Sequence, residues 1–591
     1  MADDLGFNDL DWKDETLHTP NLRNLAFHKN TALLTNSYVN QLCTPTRSAF
    51  MTGYYPFRVG TQNGVFLHME PAGVPTMFPF LSENMKQLDY STYLVGKWHL
   101  GYCKKEFLPT NRGFDYFYGF YGPQTGYFNH SADQYHRELK RVVKGLDLFE
   151  EVGNGKSVPD FSQNGVYSTD LFTDVAMSVI DNHNSSKPFF MFLSYQAVHP
   201  PLQVPRAFDK YCTRVRNRYR RIYCGMLAAM DFAIGKLVEY LKAASIYENT
   251  VIVFTSDNGG TSTFGASNAP LRGEKDTIWE GGTKTTTFVH SPIYIEEGGT
   301  REMIFHVVDW HATILSITGL EIDSYGDGIN QWEYIKTGHP KFRRFQFVYN
   351  IAEHGSAIRD GDYKMIVGNV DRKMSKDKYK TRLFRISTDP TESKDISRSN
   401  PKIVRRLLAK LDQLKKFLHK NVRKPLSLNG SPEKLNGSYS SFWCDDFKLG
   451  RKAAETTHDI NDALGRETTN ERTTQWWFKK FRSGDESLED EERAGRHSVI
   501  DNDQLRALIE ANPFKSTREV AKGLESDQST VVFHLKHIGK SKNLDKWVPP
   551  ELNENQKNRL SGLIHHSFPK PGETIIEEKY SQQMDKMLHE F

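Results

Sequence analysis

Three carboxylates and one amide occupy two polar segments that lie far apart in the sequence. Asp3 and Asp4 stand near the first residue, and Asp257 and Asn258 follow some 250 residues later. An isolated Asp pair is more often a turn or a helix cap than a ligand pair. Together, however, the four side chains form an all-oxygen set, which suits Ca²⁺ or Mg²⁺ better than zinc. The sequence therefore predicts one divalent-cation site, provided that the two segments meet.

Cys43 stands in the pattern Cys-x-Pro-x-Arg, with Pro45 and Arg47. A lone cysteine near a helix start is usually a small buried hydrophobe. This pattern, however, resembles the recognition core for the oxidation of cysteine to formylglycine. The hydrated aldehyde carries two hydroxyls, so one can attack sulfur and the other can lose its proton to release sulfate. A helix that begins near Pro45 would favour an anion at this position.

Four basic side chains could supply positive charge and protons to the same reaction: Lys97, His99, His199 and Lys275. Charge builds on the leaving oxygen of a sulfate ester, so fixed cations would stabilise it and a histidine could protonate it. A single lysine is by default a solvated surface group. Lys97 is a better candidate, because it directly follows an apolar run and precedes Trp98.

The elements that must position these residues are short apolar runs that alternate with helix-like stretches, which predicts an α/β fold. Ligands in such folds bind at the carboxyl ends of the strands, and each predicted strand is followed by one of the candidate groups. The predicted helices are Tyr167–Asn182, Arg218–Leu241 and Pro401–Leu418, and the predicted strands are Leu33–Tyr38, Ser91–Val95, Phe189–Tyr195 and Thr250–Ser256. A smaller antiparallel unit is predicted over Phe345–Val367 and Arg382–Ile386.

Composition places the chain among soluble globular proteins. It has 591 residues, 38% hydrophobic and 25% charged, with a net charge of +4, so the whole chain is not an obvious nucleic-acid binder. No apolar run reaches the roughly 18–20 residues of a membrane span, and no signal peptide is visible, which taken at face value predicts a cytosolic chain. Cys212 and Cys224 could pair in an oxidising compartment. Sequons matter only if the chain is secreted, and they lie at Asn129, Asn184, Asn429 and Asn436.

Residues from about 2 to about 395 resemble the sulfatase family, most closely its arylsulfatase B-like branch. The resemblance rests on many motifs in family order: Ala2-Asp-Asp-Leu-Gly6, Cys43-Thr-Pro-Thr-Arg-Ser48, Val95-Gly-Lys-Trp-His-Leu-Gly101, Arg112-Gly-Phe-Asp115, Val198-His-Pro-Pro-Leu202, Ser256-Asp-Asn-Gly-Gly260, Pro270-Leu-Arg-Gly-Glu-Lys275 and Trp279-Glu-Gly-Gly282. It implies an alkaline-phosphatase-like mixed sheet flanked by helices, with a small C-terminal antiparallel subdomain.

The resemblance also implies roles for the candidate residues. One Ca²⁺ ion would be held by Asp3, Asp4, Asp257 and Asn258, and the formylglycine at Cys43 would complete its site. Arg47 would anchor the formylglycine. Sulfate contact, activation of the nucleophile and protonation of the leaving group would fall to Lys97, His99, His199 and Lys275, with acid and base left open between the two histidines.

The substrate implied by the resemblance is a sulfated sugar, as for an N-acetylgalactosamine-4-sulfatase, or an aryl sulfate ester. The expected location is lysosomal or extracellular, and a secreted chain would need the formylglycine-generating enzyme as a partner. Family members carry an apolar central strand and a signal peptide before the Asp pair, where this chain has Met1 and Ala2. We therefore expect a truncated first strand.

Residues 448–563 resemble the paired helix-turn-helix region of a mariner-type transposase, on the run Trp476–Gly484, a second trihelical unit and Trp547–Leu552. Arg472–Arg482 would be a recognition helix in the major groove of DNA, with Lys479, Lys480 and Arg482 near phosphates. The expected domains are a catalytic domain (1–340), its C-terminal subdomain (341–423), a linker (424–447), an all-α paired helix-turn-helix region that could bind DNA (448–550) and a transposase catalytic-domain fragment (551–591).

Two alternative functions remain open at this point. Related folds hydrolyse phosphate esters with Ser or Thr as the nucleophile, although the pattern at Cys43 argues against this. A protein of a different class would be a catalytically inactive sulfatase relic fused to a transposase-derived DNA-binding domain.

Overall fold

The computed structural model describes residues 1–444, apart from 138, 154, 155, 354 and 369–379, and beyond them only 505, 520, 522, 524, 531, 541–543 and 546–548. The helices are α1 (Pro20–Ala26), α2 (Cys43–Thr52), α3 (Pro56–Val59), α4 (Leu81–Gln87), α5 (Ser168–Asp181), α6 (Arg218–Ala243), α7 (Glu280–Thr283), α8 (Asp309–Ile317), α9 (Trp332–Thr337) and α10 (Pro401–Leu414). The predicted helices are thus confirmed as α5, α6 and α10 to within a few residues at their ends.

The strands of the same part are β1 (Thr31–Tyr38), β2 (Ser91–Lys97), β3 (Tyr116–Phe120), β4 (Ser131–His136), β5 (Arg141–Leu146), β6 (Phe149–Val152), β7 (Ser157–Pro159), β8 (Phe189–Ser194), β9 (Ile252–Phe254), β10 (Lys284–His290), β11 (Gly299–Arg301), β12 (Phe305–His306), β13 (Ser324–Tyr325), β14 (Gly328–Ile329), β15 (Gln346–Ile351), β16 (Gly355–Asp360), β17 (Tyr363–Gly368) and β18 (Thr381–Arg385). All four predicted strands form, as β1, β2, β8 and β9.

Two mixed sheets carry the predicted strands. One has the order β11-β1-β10-β9, and the other has the order β7-β6-β3-β2-β8. Strands β2 and β8 are parallel neighbours, as expected. Strands β1 and β9, however, do not pair with each other, because the unpredicted strand β10 lies between them and runs antiparallel to both. Strand β10 was not among the predicted strands, and the mixed sheet flanked by helices is confirmed.

The first three residues bridge these two sheets. The Met1 amino group donates to the Leu193 carbonyl at 2.8 Å, and the Ala2 amide donates to Thr255 at 2.9 Å. The Asp3 amide then donates to Ala197 at 2.9 Å. Because β8 and β9 end beside this segment, the Asp pair lies where both strands deliver their own polar residues.

A close approach of backbones fixes the end of β2. Gly96 has φ of 102°, and a Cβ there would lie 2.0 Å from the Ser194 carbonyl oxygen of β8. Only glycine fits that contact. Lys97 therefore leaves the strand at a defined angle and enters the protein interior, where it is fully buried.

The small C-terminal subdomain is an antiparallel sheet of order β15-β16-β17-β18, as predicted, with α10 beside it. Its buried Lys364 lies 3.0 Å from Glu280 and 2.9 Å from Glu392. Glu280 belongs to α7, which leads into β10, so these ion pairs join the subdomain to the larger sheet.

Residues 424–444 were expected to belong to a linker, and this expectation was wrong. Their chain packs on the catalytic domain: the amide of the buried Tyr439 donates to the Leu146 carbonyl, the Leu146 amide donates to the Gly437 carbonyl, and Cys444 forms a disulfide with Cys103. The Pro, Ser, Asn and Gly content that suggested a linker instead provides short turns, including Leu428–Gly430 and Pro432–Lys434.

Beyond residue 444 the described residues include two short antiparallel strands, β19 (Ser541–Asn543) and β20 (Lys546–Val548). They add a hairpin to a region predicted to be all-α. The predicted recognition helix and the 551–591 fragment lie outside the described residues. Among the described helices, none is long and apolar enough to cross a membrane.

Candidate active site

Cys43 is the first residue of α2, and its side chain is buried. Its Sγ lies 3.6 Å from Oδ1 of Asp3, a residue 40 positions away in the chain. Burial, together with the charge of Asp257, raises the pKa of the Cys43 thiol well above its ordinary range. All five cysteines lie in the described part of the chain, and Cys43 is the one left without a disulfide.

Asp3 and Asp4 meet different lysines. Asp3 Oδ2 accepts a hydrogen bond from Lys97 Nζ at 2.6 Å, and Asp4 lies 2.7 Å from Lys275 Nζ. Burial alone would raise the pKa of each carboxyl. The positive charge of Lys97 beside Asp3 and of Lys275 beside Asp4, with a contribution from His199, outweighs burial and holds both pKa values below the usual range. The site thus keeps two buried carboxylates ionised.

Asp257 and Asn258 follow β9 and contact the Asp pair. Asp257 Oδ1 accepts from the Asp4 amide at 3.2 Å, and Asn258 Nδ2 donates to Asp4 Oδ1 at 2.7 Å. The Asn258 side-chain oxygen is buried and has no hydrogen-bond partner among the described residues. An orphaned buried carbonyl costs free energy unless something binds it. Its position beside two carboxylates fits a cation-binding oxygen.

A compact set of possible ligand atoms includes the Cys43 sulfur. One side-chain atom from each of Asp3, Asp4, Cys43 and His199 lies within 4.8 Å of the others. Asp257 is not in this tight group, because its Oδ2 is engaged by Arg47. The two distant polar segments therefore meet in the structure. Asp257 contacts the Asp4 amide and Arg47 but lies outside the group of four ligand atoms.

Arg47 lies one helical turn after Cys43 and is fully buried. Its Nε and Nη2 donate to Asp257 Oδ2 at 3.1 and 2.9 Å, and its Nη1 donates to Ser194 Oγ at 2.7 Å and to the Lys97 carbonyl. Arg47 therefore ties the ends of β2, β8 and β9 to α2. Ser194 was not singled out from the sequence.

The two histidines are held in different ways. His99 Nε2 hydrogen-bonds the Phe66 carbonyl at 2.8 Å, and its Nδ1 is buried without a partner among the described residues. His199 Nδ1 hydrogen-bonds the Pro200 carbonyl at 2.6 Å, and its Nε2 lies 3.0 Å from Lys275 Nζ. Burial first, and neighbouring lysines second, lower the pKa of both imidazoles. Both rings are therefore neutral near pH 7, with one nitrogen acting as an acceptor.

Strained backbone supports two of these residues. Asp4 and His99 have φ of 58° and 63°, a left-handed conformation that costs non-glycine residues roughly 1 kcal/mol or more. Such strain persists where the surrounding contacts fix the side chain, and both of these side chains are buried in the charged cluster.

The cluster forms the floor of an open cleft of about 1310 Å³. Cys43, His99, His199 and Lys275 reach this cleft, whereas Lys97 and Arg47 lie behind it. Four further polar residues line this cleft and were not found from the sequence, because none of them belongs to a recognisable motif: His68, Gln124, Ser262 and Asn268.

Comparison with known proteins identifies two regions. A family model described as Sulfatase matches residues 1–320, and one described as HTH domain in Mos1 transposase matches residues 445–485. Arylsulfatase J of Mus musculus is 34% identical over 495 residues, covering 77% of this chain and 81% of that protein. Histone-lysine N-methyltransferase SETMAR of Homo sapiens is 47% identical over 209 residues, which covers 24% of this chain and 31% of that protein. The crystal structure of Ps i-CgsB superposes with a TM-score of 0.61 at 29% identity, covering 74% of this chain and 96% of that one, and that protein has also been solved with k-i-k-neocarrahexaose.

Proposed function

Because the chain belongs to the sulfatase family of hydrolases, we propose that it hydrolyses sulfate esters with a formylglycine derived from Cys43 and one calcium ion. The single observation that carries this proposal is the meeting of Asp3 and Asp4 with Asn258 and Cys43 at the ends of β8 and β9. The residues come from three distant segments, so a purely local structural role does not explain their convergence.

The residues present fit a calcium ion. Asp3, Asp4, Asp257 and Asn258 offer oxygen atoms, and the unpartnered Asn258 oxygen marks a place where a cation would satisfy a buried acceptor. When bound, calcium would neutralise part of the negative charge of the sulfate and of the carboxylates. The ammonium groups of Lys97 and Lys275 neutralise the same carboxylates in the geometry described above.

Cys43 fits the formylglycine precursor by its pattern and by its surroundings. It is the first residue of a 10-residue helix, it lies against Asp3, and it stays unpaired while the four other cysteines form disulfides. The hydrated aldehyde would supply one hydroxyl to attack sulfur and a second whose deprotonation releases sulfate. Related folds that hydrolyse phosphate esters use Ser or Thr as the nucleophile, and position 43 of this chain is Cys.

The remaining residues divide the proton chemistry. His99 lines the cleft and its buried Nδ1 has no partner among the described residues, so His99 is our candidate to accept the proton of the attacking hydroxyl. His199 Nε2 lies 3.0 Å from Lys275 Nζ, so the Lys275 ammonium supplies the proton that the neutral His199 ring passes to the leaving oxygen. Lys97 stays behind Asp3 and holds its charge in place.

The substrate class that we propose is a sulfated sugar. N-acetylgalactosamine-6-sulfatase of Mus musculus is 29% identical over 339 residues, covering 54% of this chain and 62% of that protein, and the superposable Ps i-CgsB binds an oligosaccharide. A cleft of about 1310 Å³ has room for a sugar ring beside the sulfate. The disulfides Cys103–Cys444 and Cys212–Cys224 favour maturation in an oxidising compartment, contrary to the cytosolic expectation. Lysosomal or extracellular location is accordingly part of the proposal, as is the formylglycine-generating enzyme as partner.

A second function is favoured by the match of residues 445–485 to the transposase helix-turn-helix model. We propose that this region binds DNA through its basic residues. The test is a gel shift that compares the full chain with one ending at Cys444. Affinity that is lost on truncation and falls steeply with salt supports phosphate contacts, and equal shifts by both chains contradict the proposal.

The hydrolase proposal is tested with the full chain secreted from cells that make formylglycine. Mass spectrometry of the Cys43 peptide should show the aldehyde, and 4-nitrophenyl sulfate should be hydrolysed. Cys43→Ala is the matched control and should be inactive. Hydrolysis that is equally fast in Cys43→Ala contradicts the assignment of the nucleophile.

A further inference from the structure

His68 lines the same cleft as Cys43 but lies outside the cluster described above. Its loop packs directly on α2, because the Phe66 amide donates to Thr44 Oγ1 at 3.2 Å and the Phe66 carbonyl accepts from His99. The next amide along, that of Leu67, donates to the buried Glu70 carboxylate at 3.0 Å. The loop that carries His68 is thus fixed against the residue next to Cys43.

The His68 ring is held by a buried aspartate. His68 Nε2 lies 2.8 Å from Asp147 Oδ2, and Asp147 also accepts from the amides of Tyr121 and Gly122, each at 2.8 Å. A carboxylate with two amide donors acts as an acceptor, so the shared hydrogen lies on His68 Nε2. Asp147 is fully buried, and His68 is only 1% exposed.

Packing around the ring removes the alternative positions. The Tyr439 ring lies 4.3 Å from the His68 ring, centroid to centroid. On the other side, a Cβ on Gly122 would lie 2.0 Å from His68 Nε2, so the ring sits directly over that glycine. The hydrogen bond to Asp147 and the contacts with Tyr439 and Gly122 together fix the orientation of the His68 ring.

With Nε2 committed to Asp147, Nδ1 is the free nitrogen. Among the described residues, no group hydrogen-bonds His68 Nδ1, and His68 lines the cleft that contains Cys43. An imidazole whose Nε2 hydrogen is donated to a carboxylate presents its lone pair at Nδ1. A rigid acceptor at this place is suited to a hydroxyl group on the part of the substrate that carries the sulfate.

We propose that His68, oriented by Asp147, is a specificity-determining residue that accepts a hydrogen bond from a sugar hydroxyl of the sulfated substrate. The inference rests on the proposed sulfatase function and adds the group that separates sugar sulfates from simple aryl sulfates. Asp147 is a positioning residue, because it acts through His68.

Two substitutions of His68 distinguish recognition of the substrate from a purely structural role of this residue. In His68→Gln the side-chain amide can reach the place of Nε2 and keep the contact with Asp147, but nothing replaces Nδ1. In His68→Asn the amide lies near the place of Nδ1, but the contact with Asp147 is lost. The full chain, carrying formylglycine, is assayed on the 4-nitrophenyl glycoside of N-acetylgalactosamine 6-sulfate, on the corresponding 4-sulfate and on 4-nitrophenyl sulfate.

We expect His68→Gln to lower kcat/KM on the sugar sulfate that the parent chain prefers by about tenfold or more, mainly through KM, because the substrate hydroxyl loses its acceptor. On 4-nitrophenyl sulfate, which has no sugar hydroxyl, the same variant should stay within about twofold of the parent chain. His68→Asn should recover part of the sugar-sulfate activity despite a lower melting temperature.

Three results would overturn the inference. One is a His68→Gln variant that matches the parent chain on every sugar sulfate. Another is an equal loss on sugar and aryl sulfates, which would assign His68 a structural role. The third is a parent chain that cleaves 4-nitrophenyl sulfate but neither sugar sulfate. A parent chain that cleaves none of the three substrates contradicts the proposed hydrolase function itself.

Discussion

Replacement of Lys97 by methionine tests the charge balance of the buried site. Lys97 Nζ lies 2.6 Å from Asp3 Oδ2, and both side chains are fully buried. Methionine keeps the length and the apolar stem of lysine, so the change removes mainly the charge. Among the described residues, the lysine or arginine ion-pair partner left to Asp3 would then be Arg47, whose Nη2 lies 3.8 Å away.

The magnitude follows from the burial of the pair. Removal of one partner of a buried ion pair typically costs ~3–5 kcal/mol, and the nearby Arg47 charge places Lys97→Met toward the lower end, at about 3 kcal/mol. Calcium should offset much of this cost, because it supplies positive charge to the same carboxylate. A ligand at 100 times its Kd stabilises the folded state by about 2.7 kcal/mol, and the variant should gain more from calcium than the parent chain does.

The assay is urea unfolding of both proteins in EDTA and in saturating calcium. Lys86→Met is the matched control, because Lys86 lies 2.7 Å from Asp115 in a pair whose side chains are 53% and 38% exposed. Such a pair contributes at most about 1 kcal/mol. The reasoning is refuted if Lys97→Met is no less stable than Lys86→Met in EDTA, or if calcium stabilises the Lys97→Met protein less than its parent.

Three further predictions concern protonation and stability. His199→Ala should lower kcat about 10²–10⁴-fold on a sugar sulfate and much less on 4-nitrophenyl sulfate, whose leaving group needs no proton; equal losses would remove His199 from that role. Burial raises the pKa of Glu392 to about 7 from an ordinary 4.5, so protonation of Glu392 stabilises the folded state at pH 4.5 and this stabilisation is lost as the pH rises toward 7. The free energy of urea unfolding should therefore fall over this pH range by an amount on the order of 1–3 kcal/mol, and Glu392→Gln should reduce that fall. A pH dependence that is the same in the parent chain and in Glu392→Gln would contradict this. Cys103→Ser should reduce the free energy of unfolding by about 2–5 kcal/mol, and an undiminished stability would show that the link to Cys444 contributes nothing.

Much of the site could be predicted because its residues stand directly after apolar strands. Lys97 is the last residue of β2, and Asp257 and Asn258 follow β9, so a strand prediction places them at one edge of the fold. The pattern around Cys43 likewise marks a residue at a helix start. Both features can be recognised in a short stretch of sequence, so they can be predicted without knowledge of the tertiary contacts.

Contacts between single residues on loops could not be predicted. Asp147 meets His68 across 79 positions, and neither belongs to a motif. Strand β10 was missed because its Lys284-Thr-Thr-Thr start is polar, although Phe288 and Val289 are fully buried. The turn-rich composition of residues 424–444 suggested a linker. Local composition does not reveal that Cys444 bonds to the distant Cys103 or that Tyr439 is buried against the catalytic domain. Tertiary packing decided each of these cases.

Calcium binding to the secreted full chain tests the central claim most directly. Protein stripped with EDTA is titrated with calcium by calorimetry, while hydrolysis of 4-nitrophenyl sulfate is followed in the same samples. We predict one ion per chain, recovery of hydrolysis in proportion to its binding, and weaker binding in Asn258→Ala, which lacks the unpartnered oxygen. Full hydrolysis by the stripped protein, or titration curves that are identical for the parent chain and Asn258→Ala, would contradict the account.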